Sequence, residues 1–310
     1  MPKIAYIEKA FRPDSLDMIA TCNRIIADYM AQGYDLTLRQ LYYQLVARDI
    51  IENSDRSYKR LGDLINNARL AGLVDWYHIT DRTRNLRSNS HWAVPGEIIK
   101  SAADSYALDK WVNQPFRVEV WVEKDALVGV VGRICSRLDV PYFSCRGYTS
   151  QSEMWSGARR IQRHADYGQT PVILHLGDHD PSGRDMSRDI ADRMELFMGG
   201  VTFNRLALNY NQIEQYNPPP NPAKITDSRA SAYIAEFGRE SWELDALEPS
   251  IISDLIEQAV IQFRDDDLWD AAVERETSER ALLANAASRW SDIRDFLLES
   301  DEEGDDETYN

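Results

Sequence analysis

Three acidic residues stand where two apolar stretches of the sequence end. Asp178 and Asp180 follow the run 172–176, and Glu123 closes the run 118–122. Carboxylates that lie close together repel one another unless a cation sits between them. Carboxylate oxygens suit a hard divalent ion, so the pattern predicts Mg²⁺ held by Glu123, Asp178 and Asp180.

Such a site favours chemistry on phosphodiesters, because bound Mg²⁺ ions can clamp a phosphate during in-line displacement. Lys124 is the adjacent cation, and we expect it to contact phosphate. An Asp-x-Asp pair alone is a weak signal, since aspartate is common in loops and helix caps. Ser182 and Gly183 are expected to open and cap the next helix. Two histidines alternate with the acids without zinc-ligand spacing, and we expect His175 to pack in the strand and His179 to line the site.

The elements that must position these acids alternate between strand and helix. This order predicts an α/β fold with a mostly parallel sheet flanked by helices. In such sheets ligands gather outside the carboxyl ends of the strands, so the three acids are expected to meet at one edge. The predicted strands are 116–124, 141–145, 171–178 and 201–208, and the predicted helices are 125–138, 150–165 and 182–198.

The N-terminal region reads as three helices followed by a β-prone segment, which is the order of a winged helix. The helices are predicted at 15–32, from Leu38 onward and at 55–72, and the β-prone segment at 73–88. The last helix and this segment carry a cluster of basic residues, which indicates a surface for DNA phosphates. A solvated basic face is the alternative. The cluster consists of Arg56, Lys59, Arg60, Arg69, Arg82, Arg84 and Arg87.

The second of these helices carries a pair of tyrosines. Thr37 followed by Gln40 is a capping-box pattern, so the helix is predicted to begin at Leu38. Arg39 and Tyr43 are four residues apart and share one helix face. A tyrosine attacks a phosphodiester only if its phenol loses a proton and the developing charge is stabilised. The alternative is that these tyrosines simply pack in the helical core.

The segments "VEKDALVGVV" and "GDHDPSG", with an acid at each strand end, resemble a Toprim domain. The wider layout is similar to the A subunit of topoisomerase VI and the meiotic double-strand-break protein, over roughly residues 35–265. The Arg-x-x-Tyr-Tyr pattern of that family stands here as residues 39–43, and "CRGYTSQSE" and "WELDAL" resemble further family segments. The resemblance implies DNA cleavage through a 5′-phosphotyrosyl link, with Tyr43 as the nucleophile and Tyr42 as the alternative.

Several alternatives stay open. A hydrolytic Toprim nuclease would share every metal residue and use water in place of Tyr43, and a non-catalytic DNA-binding accessory protein would share the fold. Cutting both strands needs two sites related by a two-fold axis, so a homodimer on double-stranded DNA is expected. The family's ATPase segment is absent from this sequence, so such a partner would be a separate subunit.

The predicted domains are a winged helix at 1–90, a connector at 91–115, a Toprim domain at 116–265 and a C-terminal helix with a disordered acidic tail at 266–310. The net charge is −16, and all of this excess of acidic over basic residues lies in residues 201–310. The first two thirds are therefore neutral overall and can carry a local basic face. Three scattered cysteines, no apolar run of membrane-spanning length and no signal-peptide pattern lead us to expect a cytoplasmic protein.

Overall fold

The protein is described by a computed structural model that covers residues 3–77, 79, 89–223, 227 and 229–305. The chain divides into two compact units. The first contains residues 1–84 and 115–263, and the second contains residues 85–114 and 264–310. All predicted catalytic and metal-binding residues belong to the first unit.

Up to residue 207, the described helices and strands of the first unit follow the predicted order. Its helices are α1 (Pro13–Ala31), α2 (Leu38–Ala47), α3 (Asp55–Leu70), α5 (Val128–Arg137), α6 (Gln151–Asp166), α7 (Pro181–Phe197), α8 (Tyr210–Tyr216), α9 (Ala230–Phe237) and α10 (Pro249–Ile261). Its strands are β1 (Phe116–Val122), β2 (Tyr142–Ser144), β3 (Thr170–Leu176), β4 (Thr202–Ala207), β5 (Asn221–Pro222) and β6 (Glu240–Ser241). The second unit contains α4 (Pro95–Ser105), α11 (Asp266–Ser288) and α12 (Trp290–Asp305).

Strands β1 to β4 form a parallel sheet in the order β2-β1-β3-β4. This confirms the predicted α/β class with a parallel sheet flanked by helices. Val122 pairs with Leu176 at the carboxyl ends of β1 and β3. The residue that follows β1 is Glu123, whose amide donates to the Leu176 carbonyl oxygen at 2.8 Å. The register therefore sets Glu123 beside the start of the Gly177–Asp180 turn.

The sheet forms because its central strands are mostly apolar and are buried on both faces, as is typical of parallel strands between two helical layers. Residues 118–122 of β1 and 171–176 of β3 are all buried. On one face Trp121 and Ile173 pack with Met154 and Ile161 of α6 and with Ile190 of α7. Apolar contact of this kind stabilises the sheet that carries the three acids.

Helices α1, α2 and α3 share a second core in the first unit. Leu41 and Leu45 of α2 are fully buried against it. The predicted capping box is confirmed, since the Gln40 amide donates to the Thr37 hydroxyl oxygen and the Thr37 amide donates to the Gln40 side chain. The winged helix itself stays a prediction. Much of its expected wing, at residues 78 and 80–88, lies outside the described residues.

In the second unit α4 packs along α11. Glu276 of α11 accepts hydrogen bonds from the Leu108 amide at 2.8 Å and from Lys110 Nζ at 2.6 Å. The stretch predicted as a connector thus contains a helix. The predicted acidic tail begins inside α12, and residues 306–310 lie outside the described residues. No helix in the described part of the chain is long and apolar enough to cross a membrane.

Candidate active site

Glu123 and Asp178 lie side by side at the carboxyl ends of β1 and β3, as predicted. Glu123 Oε2 accepts the backbone amide of Asp178 at 2.9 Å. The Asp178 carboxylate is held on both oxygens: Oδ1 accepts the Leu244 amide at 2.7 Å, and Oδ2 forms an ion pair with Lys124 Nζ at 3.0 Å. Asp178 is therefore fixed by two elements that lie far apart in the sequence.

Asp180 caps the helix that follows. Its Oδ1 accepts the Gly183 amide at 2.6 Å and the Ser182 hydroxyl at 3.0 Å. The prediction that Ser182 caps this helix is wrong, because α7 already begins at Pro181 and Asp180 is the N-cap. An aspartate accepts hydrogen bonds from the first turn of a helix more strongly than a serine does, since its charge also meets the positive end of the helix dipole.

Arg205 of β4 stabilises the turn between β3 and α7 through hydrogen bonds to its backbone. Its guanidinium donates to the carbonyl oxygens of Asp178 at 2.6 Å, Gly183 at 3.1 Å and Gly177 at 3.2 Å. Burial, with the nearby Arg184, lowers the pKa of Arg205 to about 10. Arg205 thus fixes the backbone that carries Asp178 and Asp180. Sequence reasoning missed it, because no local motif marks an arginine on a neighbouring strand.

Two acids at this edge, Glu123 and Asp178, have raised pKa values. Burial raises the pKa of Asp178 to about 8, and the neighbouring Glu123 charge adds to the rise while Lys124 opposes it. Burial also raises the pKa of Glu123, with Asp180 contributing. Acids that resist ionisation in this way are typical of sites where like charges are forced together.

The donor chemistry of these acids fits Mg²⁺, since all the ligands are carboxylate oxygens. Glu123 Oε1 and Asp180 Oδ2 accept no hydrogen bond from any residue that the structure describes. The described residues contain no group of three His, Cys, Asp or Glu side chains already arranged around an ion position. One reason is visible at Asp178, whose two oxygens are engaged by Leu244 and Lys124.

Lys124 and Arg39 are joined by two acids that the sequence-based prediction did not include. Glu243 Oε2 accepts Lys124 Nζ at 2.7 Å and Arg39 Nη2 at 2.5 Å. Asp245 Oδ1 lies 2.8 Å from Lys124 Nζ, and Asp245 Oδ2 lies 3.3 Å from Arg39 Nε. The Glu-x-Asp spacing within "WELDAL" is the feature of the sequence that could have indicated these two acids. Burial alone would raise the pKa of Glu243, but Lys124 and Arg39 lower it to about 2.

Tyr43 is the tyrosine that faces this network. Arg39 Nη2 donates to Tyr43 Oη at 3.3 Å, and the guanidinium carbon lies 5.7 Å from the centre of the Tyr43 ring. Tyr43 is 3% exposed, and burial raises its pKa, with Asp245 and Glu243 adding to the rise and Arg39 opposing it. A cavity of about 270 Å³ opens beside it, lined by Arg39, Tyr42, Tyr43, Asn53, Ser54, Asp55, Tyr58, Asn221, Pro222 and Glu243.

Tyr42 has a different environment. Its hydroxyl donates to Asn53 Oδ1 at 2.9 Å and accepts the Ser54 amide at 2.7 Å. Both partners belong to the turn that starts α3, where Ser54 is the N-cap. The hydroxyl of Tyr42 therefore stabilises the junction of α2 and α3, whereas the hydroxyl of Tyr43 is directed to Arg39.

Both histidines of the β3 segment are fully buried. His175 Nδ1 lies 3.0 Å from the Ser187 hydroxyl, which agrees with its predicted packing in the strand. His179 Nδ1 lies 2.9 Å from Tyr233 Oη, and its backbone pairs with Trp242. His179 was expected to line the site. It lies instead under the turn, among Tyr210, Tyr233, Phe237 and Trp242.

The predicted basic surface divides into three groups. Arg56, Lys59 and Arg60 are exposed along one side of α3. Arg69 is directed into the fold, where its guanidinium donates to the carbonyl oxygens of Asp75, Trp76 and Ile79. Those bonds occupy donors that a phosphate would need. Residues Arg82, Arg84 and Arg87 lie outside the described residues.

The sequence matches no protein-family model and no curated protein. The fold and the contacts above are thus the observations on which any assignment of function rests.

The packing of Gly183 gives a testable consequence for this site. A Cβ at this position would overlap the Asp178 carbonyl oxygen and press on the Asp178 side chain. We expect Gly183→Ala to displace the turn and to destabilise the fold by about 1–3 kcal/mol, as overpacking does. Gly62→Ala on α3 is the matched control, since its Cβ would meet only the flexible end of Leu38. Urea denaturation that ranked Gly183→Ala at or above the control in stability would contradict this.

Proposed function

We propose that this protein is a Mg²⁺-dependent enzyme that cleaves double-stranded DNA by tyrosine transesterification. In this proposal residues 116–265 act as a Toprim domain, and the N-terminal helices act as a winged helix that binds DNA. The layout is that of the topoisomerase VI A subunit, which the sequence resembles over residues 35–265. Two active sites related by a two-fold axis would cut the two strands, so the active form is a homodimer.

The main support for this proposal is a series of contacts that connects the carboxylates at the sheet edge with Tyr43. Lys124 binds Asp178 at the sheet edge and Glu243 beside α2, and Glu243 in turn binds Arg39. Arg39 donates to the hydroxyl of Tyr43. A chain of charged contacts thus runs from the proposed metal ligands to the proposed nucleophile within one compact unit. A tyrosine that only packed in the helical core would not need a hydrogen bond from an arginine that also binds an acid 204 positions away.

Each residue then has a task. Glu123, Asp178 and Asp180 would hold Mg²⁺, which when bound neutralises charge on the phosphodiester and orients it for in-line attack. Tyr43 Oη would lose its proton and attack the phosphorus, the bond between phosphorus and the 3′ oxygen would break, and a 5′-phosphotyrosyl link would form. The leaving 3′ oxygen would take up a proton and become a 3′ hydroxyl. Arg39 would stabilise the phenolate of Tyr43, and Lys124 would bind a phosphate oxygen. Arg56, Lys59 and Arg60 would hold the DNA backbone along α3.

A hydrolytic nuclease is the second candidate, and the burial of Tyr43 favours it. A phenol that is 3% exposed, with a pKa raised by burial and by two neighbouring acids, is protonated at neutral pH. Water bound at the carboxylates would then replace Tyr43 as the nucleophile. A separate ATPase subunit would be needed only for the first candidate. Hydrolytic cleavage does not require one DNA duplex to be passed through another.

Supercoiled-plasmid cleavage with Mg²⁺ separates these candidates. Transesterification predicts protein-linked DNA after denaturation of the reaction mixture. Hydrolysis predicts linear or nicked DNA that is free of protein. If the protein neither cleaves the plasmid nor responds to Mg²⁺, both candidates are contradicted, and DNA binding without catalysis remains as the function.

A further inference from the structure

A single oxygen atom of Glu243 lies between the two cations of the candidate site. Glu243 Oε2 is 2.5 Å from Arg39 Nη2 and 2.7 Å from Lys124 Nζ. An anionic oxygen that bridges an arginine and a lysine at these distances is also the arrangement in which proteins bind a phosphate oxygen. The Arg39 nitrogen involved is the one that donates to Tyr43 Oη at 3.3 Å. An anion in this position therefore lies next to the candidate nucleophile.

Asp245 holds the same two cations from the opposite, buried side. It is 1% exposed, with Oδ1 at 2.8 Å from Lys124 Nζ and Oδ2 at 3.3 Å from Arg39 Nε. Its position is fixed by the fully buried Leu244 before it and by the well-buried Ala246 after it. If Glu243 left, Asp245 would still keep both cations charged and in place. The pair Arg39 and Lys124 is therefore preorganised for an anion other than Glu243.

Glu243 is more exposed than Asp245. Its side chain is 25% exposed, whereas that of Asp245 is fully buried. Its carboxylate also hydrogen-bonds with Tyr43, and its second oxygen, Oε1, accepts a long hydrogen bond of 3.4 Å from the Asn221 amide. It lines the cavity of about 270 Å³ beside Tyr42 and Tyr43. The side chain thus has both a weak tether and open space into which it can move.

We propose that Arg39 and Lys124 form the subsite for a backbone phosphate of DNA, and that Glu243 is an internal placeholder that DNA displaces. This inference rests on the proposed function, because it takes a phosphodiester as the ligand. A phosphate at this position contacts Arg39 Nη2 and Lys124 Nζ and lies beside Tyr43 Oη. While Glu243 occupies this position, a phosphate cannot lie beside Tyr43 Oη, so Glu243 keeps the nucleophile inactive until DNA displaces it.

Binding of a fluorescein-labelled 20-base-pair duplex, followed by anisotropy in EDTA over a series of salt concentrations, tests this inference. We expect Glu243→Gln to bind about fivefold more tightly than wild type. The slope of log K against log salt should steepen by about 1, since a freed cation neutralises another phosphate. Glu257→Gln is the matched control, because it also removes one negative charge, from an exposed pair with Arg137. Equal gains in Glu243→Gln and Glu257→Gln, or weaker binding in Glu243→Gln, would overturn the proposal.

Asn221→Ala provides an independent variant. It removes the tether of Glu243 and keeps the charge, so we expect a gain in affinity of about twofold, smaller than that of Glu243→Gln. An unchanged or reduced affinity would count against the placeholder role. Plasmid cleavage with Mg²⁺ separates this inference from the proposed function. Tighter binding by both variants without cleavage by wild type would support the phosphate subsite and refute the proposed enzyme. Cleavage that depends on Tyr43, without tighter binding by the variants, would support the enzyme and refute the subsite.

Discussion

Tyr43→Phe is expected to abolish DNA cleavage, with a fall in rate of about a thousandfold or more. The substitution removes the one atom that would form the covalent bond, and loss of a nucleophile is among the largest effects seen in enzymes. The fold should be retained, because the ring of Tyr43 stays packed and only the hydrogen bonds of its hydroxyl with Arg39 and Glu243 are lost. The measurement is the initial rate of supercoiled-plasmid cleavage with Mg²⁺.

Tyr42→Phe is the matched control for this experiment. It removes the neighbouring hydroxyl, which binds Asn53 and Ser54. We expect a loss of stability of about 0.5–1.5 kcal/mol, because the hydrogen bonds of this hydroxyl to its exposed and half-buried partners are lost. The cleavage rate of the folded protein should change little. If instead Tyr42→Phe abolished cleavage and Tyr43→Phe did not, the assignment of the nucleophile would be wrong. If both variants cleaved normally, water would be the nucleophile.

Asp178→Asn is expected to remove activity and, without divalent ions, to stabilise the fold at high pH. Residues that only hydrogen-bond to metal ligands already contribute about 10–100-fold to metal affinity or activity. We therefore expect loss of a ligand itself to lower the cleavage rate at least about 100-fold. The pKa of Asp178 is raised in the folded state to about 8, from about 3.9 in an unfolded chain. The folded state thus binds this proton more tightly. The resulting stability is fully present below about pH 4 and is lost as the pH rises through about 8.

Asparagine carries no charge, so the variant escapes this loss. Its stability relative to wild type should therefore grow between pH 4 and pH 9, while Lys124 keeps Glu243 and Asp245 as partners. Chemical denaturation in EDTA at pH 5 and pH 9 measures the difference. Mg²⁺ should raise the melting temperature of wild type and of Asp192→Asn, an exposed control on α7, but not that of Asp178→Asn. A similar Mg²⁺ response in all three proteins would refute the assigned ligand.

The sequence predicted those features that depend on local periodicity or on strand ends. Helix α2 began where its capping box indicated, and the strand order placed Glu123 and Asp178 at one edge. This succeeded because the carboxyl ends of neighbouring parallel strands coincide, whatever the length of the chain between them. A prediction of this kind needs no knowledge of side-chain packing.

Contacts between distant residues could not be predicted in the same way. Glu243 lies 119 positions from Lys124 and 204 from Arg39, and no pattern near any of them indicates that they meet. Arg205 supports the turn through backbone carbonyls, which carry no sequence signal. His179 stands between two site acids, yet it packs under the turn, because its backbone pairs with Trp242. These placements follow from the tertiary fold.

The most direct test of the central claim is the chemical state of Tyr43 after reaction with DNA. Wild-type protein would be incubated with plasmid and Mg²⁺, denatured, digested with nuclease and protease, and examined by mass spectrometry. Transesterification predicts a nucleotide linked through its 5′ phosphate to the peptide that contains Tyr43, and no such adduct in Tyr43→Phe or in EDTA. Efficient cleavage with free 5′ phosphates and an unmodified Tyr43 peptide would contradict the account.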